Sequence, residues 1–293
     1  MFAPLALILA MALWASSFIA LKLAFVEIPP MWVICLRMWI ALAILACCWR
    51  WLGKAHYRKG DWKLLAAMSV AEPCLYFMLE AKALLYTSAS QAGMITSMIP
   101  VLTAVGAYFA FKERLQGRAL TGLAIALVGA VWLSLAGEAD EHAPNPWLGN
   151  FLEFLAMLCA TCYSLALKHL SSRYSALWLT ALQALVGALF FLPLAWQAPL
   201  PEQISWPAMA AVFYLGAFVT LGAYGLYNYA ISKVPLSRAA VFTNLIPVFT
   251  ALMAMAVLGE RLNAAQMAAS VLVLGGVWLS QQKPTQQPAR EPA

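Results

Sequence analysis

Long apolar stretches alternate with short polar segments along the whole chain. Most of these stretches approach 20 residues, the length that an α-helix needs to cross about 30 Å of hydrocarbon. Glycines, prolines and charged residues mark where the stretches end. The pattern therefore predicts an all-α membrane protein with ten transmembrane helices. They lie at residues 2–21, 31–50, 64–85, 91–111, 117–136, 147–167, 176–196, 207–228, 236–258 and 263–280.

A repeat divides the ten predicted helices into two halves of five. Residues 96–115 read TSMIPVLTAVGAYFAFKERL and residues 243–262 read TNLIPVFTALMAMAVLGERL, identical at 10 of 20 aligned positions. Five helices per half is an odd number, so the second half must lie inverted in the membrane relative to the first. We expect four segments, namely a first repeat over 1–136, a periplasmic linker over 137–146, a second repeat over 147–280 and a disordered cytoplasmic tail over 281–293.

Composition and charge support a membrane location. Hydrophobic residues make up 64% of the chain and charged residues 10%, against about 25% charged in soluble domains. With the N-terminus inside, the cytoplasmic loops and tail hold 14 Lys and Arg residues and the outer loops hold 3. This asymmetry predicts an inner-membrane protein with both termini in the cytoplasm. A cytoplasmic face beside anionic lipid explains the net charge of +6, so no nucleic-acid partner is expected.

The sequence lacks the residue patterns of an enzyme. No HExxH, GxSxG or P-loop motif occurs, and the three histidines fall in predicted loops or at helix ends. The six cysteines lie mostly within apolar stretches, where small packing residues are common. Cys159 and Cys162 form a CxxC without a second pair or a histidine for a metal. We therefore predict no catalysis, no metal and no cofactor.

At this point the chain resembles a known family. Two repeats of about 140 residues, WASSFIALK near the first helix and the paired P…ERL endings are similar to EamA-type members of the drug/metabolite transporter superfamily. The resemblance covers residues 1–283 and implies a ten-helix carrier with a substrate cavity between inverted repeats. Members of the superfamily move amino acids, other metabolites, sugars or drugs, often outward. In the second half, ATCYSLALK replaces WASSFIALK.

Charged residues inside predicted helices are candidate functional residues, because charge is costly in hydrocarbon. Arg37 and Glu72 are the clearest, with Glu153 a third. Glu72 is a candidate partner for a substrate ammonium group or a site that binds and releases a proton. The alternative is a structural ion pair between Glu72 and Arg37. In the repeat Arg37 corresponds to Gln183 and Glu72 to Val219, so neither charge is shared by the two halves.

Polar and aromatic positions complete the predicted binding site. Trp14 and Tyr76 lie deep enough to stack on a ring or a cation, although packing is an alternative role for both. The glycines of the eighth helix permit close approach or local unwinding near Tyr224 and Asn228. We include both of these residues in the site.

The prolines at the centres of the fourth and ninth helices predict a paired bend. Pro100 and Pro247 each remove one helical hydrogen bond and free the carbonyl four residues earlier, which belongs to Thr96 and Thr243. The small, polar face around each threonine fits either the cavity or a close helix contact, and we favour the cavity. The ERL ends are expected to anchor the turns that follow.

These features predict a secondary transporter that exports a small metabolite by alternating access, with an amino acid or a related amphipathic compound as the expected substrate. A broad-specificity efflux carrier for drug-like or aromatic compounds is the alternative, and a passive channel is a weaker one. The expected partners are a small-molecule substrate, the lipid bilayer and, in one interpretation, a coupled proton. The sequence is compatible with either a monomer or a homodimer.

Overall fold

The computed structural model describes residues 2–53, 55–111, 117–140, 143–234 and 236–281. Within these ranges the chain is helical, with one isolated β-bridge between Ala55 and Tyr174 and no β-strand. Eight helices are long and apolar enough to cross a membrane, and two further helices contain the shorter apolar stretches Leu120–Leu135 and Ala264–Ser280. The helices are α1 Phe2–Phe25, α2 Pro30–Cys47, α3 Asp61–Tyr86, α4 Ala89–Phe109, α5 Gly117–Leu135, α6 Pro146–Leu170, α7 Ala176–Ala195, α8 Trp206–Lys233, α9 Ala239–Leu258 and α10 Ala264–Gln281.

The all-α membrane fold predicted from the sequence is confirmed. Each predicted transmembrane segment coincides with one of the ten helices. The predicted cytoplasmic tail lies outside the described residues from residue 282 onward.

Helices of both halves share one apolar core. Its buried side chains come mainly from α1, α2, α3, α6 and α8, with further residues from α7 and α9. The helices α5 and α10 pack against each other at its side. Gly122 and Gly276 meet where they cross, and a Cβ added at Gly276 would lie 2.5 Å from the backbone nitrogen of Ala126. Small residues at such crossings let transmembrane helices approach backbone to backbone.

Four helices depart from regular α geometry near their centres. The turns of α3 widen over Val70–Leu75 and those of α8 over Leu215–Ala223. A short 3₁₀ segment, Thr96–Met98, interrupts α4, and a turn at 243–244 interrupts the corresponding part of α9. The last two breaks directly precede Pro100 and Pro247, where the proline ring removes a backbone donor and crowds the preceding turn.

The helix ends carry polar contacts between distant parts of the chain. At one end of the bundle Arg173 donates to both carboxylate oxygens of Asp61, at 2.7 and 3.1 Å, and the Tyr174 hydroxyl adds a third bond. At the other end Glu260, after α9, accepts hydrogen bonds from the backbone nitrogens of Ala89 and Ser90, at 2.9 and 2.8 Å. Glu260 therefore caps the N-terminus of α4.

This cap corrects one expectation from the sequence. Glu260 was predicted to anchor the turn between α9 and α10, but its carboxylate instead bonds a helix of the first half. The first two backbone N–H groups of α4 have no acceptor within their own helix, and a carboxylate is a strong acceptor for such groups. The matching residue of the first half, Glu113, lies outside the described residues.

Replacing Glu260 tests the cap. We expect Glu260→Ala to lower the free energy of unfolding by about 1–3 kcal/mol, because two backbone donors lose a charged acceptor. Glu260→Gln should lie between wild type and Glu260→Ala, because the amide keeps one acceptor oxygen. Thermal melting of the purified protein in detergent measures both, with Glu202→Ala in an exposed loop as the matched control. Equal melting of all four proteins would contradict the cap.

Candidate substrate-binding site

A cavity lies at the centre of the bundle, and helices of both halves form its wall. It adjoins the irregular part of α3 and the breaks in α4 and α9. The first half contributes Trp14, Ser17, Phe18, Arg37, Glu72, Tyr76, Phe77, Glu80, Thr96 and Ile99. The second half contributes Ala160, Tyr163, Ser164, Tyr224, Tyr227, Thr243 and Ile246.

Glu72 lies in the irregular part of α3, where the backbone positions its side chain. Its φ and ψ are −149° and 116°, outside the helical region, and Pro73 follows directly. The Tyr224 hydroxyl of α8 donates to one carboxylate oxygen, and the Gln183 side chain of α7 donates to the Glu72 carbonyl at 3.3 Å. The second carboxylate oxygen, Oε2, is buried and has no partner within the described chain. Glu72 therefore keeps one free acceptor at the cavity.

Arg37 holds the matching donor on the cavity wall. Its Nε donates to the Thr220 hydroxyl at 2.8 Å, and its guanidinium lies 4.5 Å from the centre of the Phe77 ring. Its Nη1 is buried and has no hydrogen-bond partner among the described residues. Arg37 is 1% exposed, and an unpaired buried charge is costly. A further hydrogen-bond acceptor at Nη1 would therefore stabilise this guanidinium.

Arg37 and Glu72 do not pair with each other. Both side chains are described, and no ion pair joins them within 4 Å. The structural ion pair considered from the sequence is therefore wrong in this conformation. The physical reason is that Thr220 and Phe77 hold the guanidinium while Tyr224 holds the carboxylate.

Two polar contacts between the halves are related to each other by the repeat. Arg37 on α2 bonds Thr220 on α8, and Gln183 on α7 bonds Glu72 on α3. The repeat offset of 146–147 residues relates Arg37 to Gln183. It also relates Glu72 to Val219, the residue before Thr220. Each half thus extends one long polar side chain to the irregular segment of the other.

An aromatic cluster adjoins Glu72 and Arg37 in the cavity wall. The Trp14 ring centre lies 5.2 Å from that of Tyr224 and 4.8 Å from that of Tyr227. Phe77 and Tyr163 contact the Tyr224 ring at 6.0 and 6.2 Å. The rings of Trp14, Tyr224, Tyr227, Phe77 and Tyr163 therefore form one contiguous surface, which we call the aromatic wall. Its edge-to-face geometry is typical of well-packed aromatic groups.

The two threonines of the helix breaks line the cavity at related positions. Thr96 bonds the Gly93 carbonyl at 2.6 Å, and Thr243 bonds the Ala240 carbonyl at 2.7 Å. The neighbouring small residues serve a close helix contact, since a Cβ at Gly93 would lie 2.7 Å from the Thr250 side chain. This helix face therefore serves both roles considered from the sequence, since Thr96 lines the cavity and Gly93 contacts another helix.

Seven of the eight predicted binding residues line this cavity, and Asn228 does not. These seven are Trp14, Arg37, Glu72, Tyr76, Thr96, Tyr224 and Thr243. Asn228 lies behind the aromatic wall, where it accepts from the Tyr163 hydroxyl at 2.5 Å and donates to Thr180 at 2.9 Å. It therefore orients a wall residue.

Sequence reasoning missed one charged residue at the cavity. Glu80 is 2% exposed, lines the cavity and accepts a hydrogen bond from the Tyr76 hydroxyl at 2.7 Å. The signal was its spacing, because Glu80 follows Tyr76 by four residues and so lies on the same helix face. Among the described residues no group of three His, Cys, Asp or Glu side chains could hold a metal ion.

Comparison with known sequences decides the family. The sequence profile described as the EamA-like transporter family matches residues 1–135 and again residues 147–281. The chain belongs to the EamA-like transporter family. This EamA-like protein is therefore a multi-pass membrane transporter, and neither its family nor the names of its relatives indicate an enzyme.

Relatives of this EamA-like transporter carry transporter names. An uncharacterized transporter, YetK of Bacillus subtilis (strain 168), is 28% identical over 96% of this chain and 88% of its own length. A probable terminal-alkyne amino-acid exporter of Streptantibioticus cattleyicolor is 24% identical over 94% and 91%. A probable amino-acid metabolite efflux pump of Salmonella typhimurium is 26% identical over 60% and 62%.

A solved structure shares the fold. One crystal structure matches the EamA-like transporter with a TM-score of 0.68, over 95% of this chain and 96% of that one, at 21% sequence identity. The arrangement of helices is therefore one that an experimental structure also contains.

Proposed function

We propose that this transporter exports an amino acid, or a closely related zwitterionic metabolite, across the inner membrane by alternating access. One observation carries the proposal. Glu72 and Arg37 face the same cavity from neighbouring helices, and each presents a buried polar atom that lacks a partner within the described chain. A zwitterion supplies an ammonium group for Glu72 and a carboxylate for Arg37.

The energetics favour a ligand that carries both charges. A buried carboxylate or guanidinium with an unfilled hydrogen-bonding position is unfavourable until a group of opposite charge completes it. Charge-assisted hydrogen bonds are the stronger class, and a guanidinium suits a carboxylate geometrically. The aromatic wall provides apolar contact for the side chain of the substrate.

The repeat supports alternating access. Two inverted five-helix halves around a central site give a chain two pseudo-equivalent conformations, open to opposite sides. The breaks in α4 and α9 lie at related positions beside the cavity and provide places where these helices bend. The loop charges favour cytoplasmic termini, and the names of two relatives refer to amino-acid export or amino-acid metabolite efflux.

A counterflow screen in proteoliposomes tests the proposal. Vesicles loaded with one unlabelled amino acid should accumulate the same labelled compound transiently, because a carrier exchanges substrate through one site. Each amino acid is compared with its decarboxylated amine and its deaminated acid, and protein-free vesicles serve as the control. The expected result is exchange of amino acids about tenfold or more faster than exchange of either analogue. Exchange confined to sugars or nucleotide sugars would contradict the proposal.

Replacing Arg37 should change which compounds are carried. Arg37→Gln installs the residue that the second half has at the related position. We expect about tenfold or more weaker transport of the amino acid, because a charge-assisted bond of about 1.5–3 kcal/mol is lost. Transport of the decarboxylated amine should change little. Counterflow of both compounds measures the effect, and an equal loss for both would show that Arg37 does not recognise the carboxylate.

The aromatic wall favours a second candidate, an efflux carrier for aromatic cations. Trp14, Tyr224 and Tyr227 form a cluster on which a flat cation can stack, with Glu72 in the same cavity. Such a carrier would exchange aromatic amines without a carboxylate as well as it exchanges amino acids. The amine arm of the counterflow screen separates the two candidates.

A further inference from the structure

Two buried glutamates face each other across α3 and α6, beside the cavity. The helices run antiparallel, because Asp61 at the start of α3 bonds Tyr174 beyond the end of α6, while Tyr86 at the end of α3 bonds Asn145 at the start of α6. On this register residue 80 lies opposite residue 153. The two helices also pack closely, since a Cβ added at Gly149 would lie 2.9 Å from the carbonyl oxygen of Ala83.

The two glutamates have few partners. Glu80 is 2% exposed and accepts from the Tyr76 hydroxyl at 2.7 Å. Glu153 is fully buried, and neither of its carboxylate oxygens has a hydrogen-bond partner in the described part of the chain. Two ionised carboxylates in such a setting would repel each other, at a cost of several kcal/mol for each buried charge. A bound proton removes one of these charges.

Hydrogen-bonding side chains lie on both sides of this pair. Towards the cavity, the Tyr76 hydroxyl joins Glu80 to the wall that holds Glu72. Towards the end of α3, Asn150 precedes Glu153 by three residues on the same face of α6. Asn150 bonds Thr87 at 2.8 Å and Gln91 at 2.8 Å, next to the connection between α3 and α4.

We propose that Glu80 and Glu153 form a proton-binding pair beside the substrate site, joined to it through the Tyr76 hydroxyl. The described titratable and charged groups that act on the pair are Tyr76 and Glu72 on α3, Arg37 on α2 and Tyr224 on α8. This inference rests on the proposed transport function and adds the ion that the carrier moves.

The proton follows from the ligands available. Neither carboxylate oxygen of Glu153 has a hydrogen-bond partner among the described residues that would offset a negative charge. A proton bound to one oxygen removes that charge without further ligands, whereas a sodium site requires several converging oxygen atoms. The pair changes charge beside Arg37, so its protonation and substrate binding influence each other's free energy.

Infrared spectroscopy of the purified protein tests the pair without any substrate. At neutral pH the wild type should show the carbonyl band of a protonated carboxyl group. The band should lose intensity in a Glu80→Gln, Glu153→Gln double variant and keep its intensity in Glu202→Gln, which changes an exposed glutamate. Glu153→Asp keeps a carboxyl group and should retain the band. If the double variant melts abnormally, the two single variants replace it. An unchanged band in all Gln variants would overturn the proposal.

Transport assays test the role of the proton. Imposing a pH difference of one unit should raise the wild-type accumulation ratio of the amino acid by about tenfold for one of the two polarities, since the pH difference adds a driving force of about 1.4 kcal/mol. Glu153→Gln should lose this response while counterflow without a gradient stays within about threefold of wild type.

The outcomes separate this inference from the function on which it rests. Counterflow with no response to either pH gradient, or with a response to a sodium gradient alone, overturns the proton pair and leaves the transport function intact. Failure of counterflow with every amino acid overturns the proposed function, and the infrared band still decides whether the pair holds a proton.

Discussion

Glu72→Gln is expected to reduce amino-acid counterflow by about tenfold to a hundredfold, because the substrate ammonium group loses a charge-assisted hydrogen bond of about 1.5–3 kcal/mol. The fold should survive, since the amide oxygen of glutamine can accept from the Tyr224 hydroxyl as the carboxylate does. The loss therefore reports recognition of the substrate. Initial rates of counterflow at several substrate concentrations, together with melting temperature, measure it.

Two controls make the Glu72 result specific. Glu202→Gln removes the same charge from an exposed loop and should transport like the wild type. Exchange of the deaminated acid, which has no ammonium group, should be no weaker in Glu72→Gln than in the wild type. Unchanged amino-acid transport and unchanged pH dependence in Glu72→Gln would remove this residue from the site.

Gly276→Val should destabilise the fold by about 3 kcal/mol or more and lower the yield of folded protein. A Cβ at this position would lie 2.5 Å from the Ala126 nitrogen and 2.7 Å from the Gly122 carbonyl oxygen. Both are backbone atoms, so α5 and α10 would have to separate along the crossing. Thermal melting and size-exclusion chromatography in detergent measure the effect.

The adjacent glycine provides a matched control for the helix crossing. Gly275 lies in the same helix turn, and a Cβ there would meet no atom within 4 Å. Gly275→Val therefore carries the same β-branched side chain and helix propensity without the backbone contact. The two variants should differ strongly in melting temperature. Equal melting would show that the close approach of α5 and α10 does not stabilise the protein.

The sequence predicted the helices well because hydrocarbon imposes a simple constraint. A helix must be apolar and near 20 residues to satisfy its backbone in lipid, so the ten segments and their type could be derived from hydropathy alone. The prolines at positions 100 and 247 also marked where α4 and α9 are interrupted, because proline removes a backbone donor in any helix.

Contacts between distant segments could not be derived in the same way. Nothing in the local sequence of Glu260 indicates that it caps a helix that begins 171 residues earlier at Ala89. Nor does the sequence around Glu72 indicate whether its carboxylate bonds Arg37 or Tyr224. That choice depends on how α2 and α8 are oriented relative to α3. Both outcomes are decided by tertiary packing, for which hydropathy carries no information.

Glu80 is a cavity residue that its local sequence does not indicate. Its segment, YFMLEAKALLY, places Lys82 two residues later, and this mixture of charges is typical of a helix end. In the structure Lys82 is exposed while Glu80 points to the cavity. Residues two apart lie on different faces of a helix, so one apolar segment can carry a solvated charge and a functional one.

Direct binding of a transported amino acid tests the central claim, that one site recognises both ends of a zwitterion. Isothermal titration of the purified wild type compares the free amino acid with its methyl ester, which lacks the carboxylate, and its N-acetyl derivative, which lacks the ammonium group. Each blocked compound should bind the wild type at least about tenfold more weakly than the free amino acid. The affinity lost with the methyl ester should disappear in Arg37→Gln, and the affinity lost with the N-acetyl derivative should disappear in Glu72→Gln. Equal wild-type affinity for all three compounds would contradict the claim.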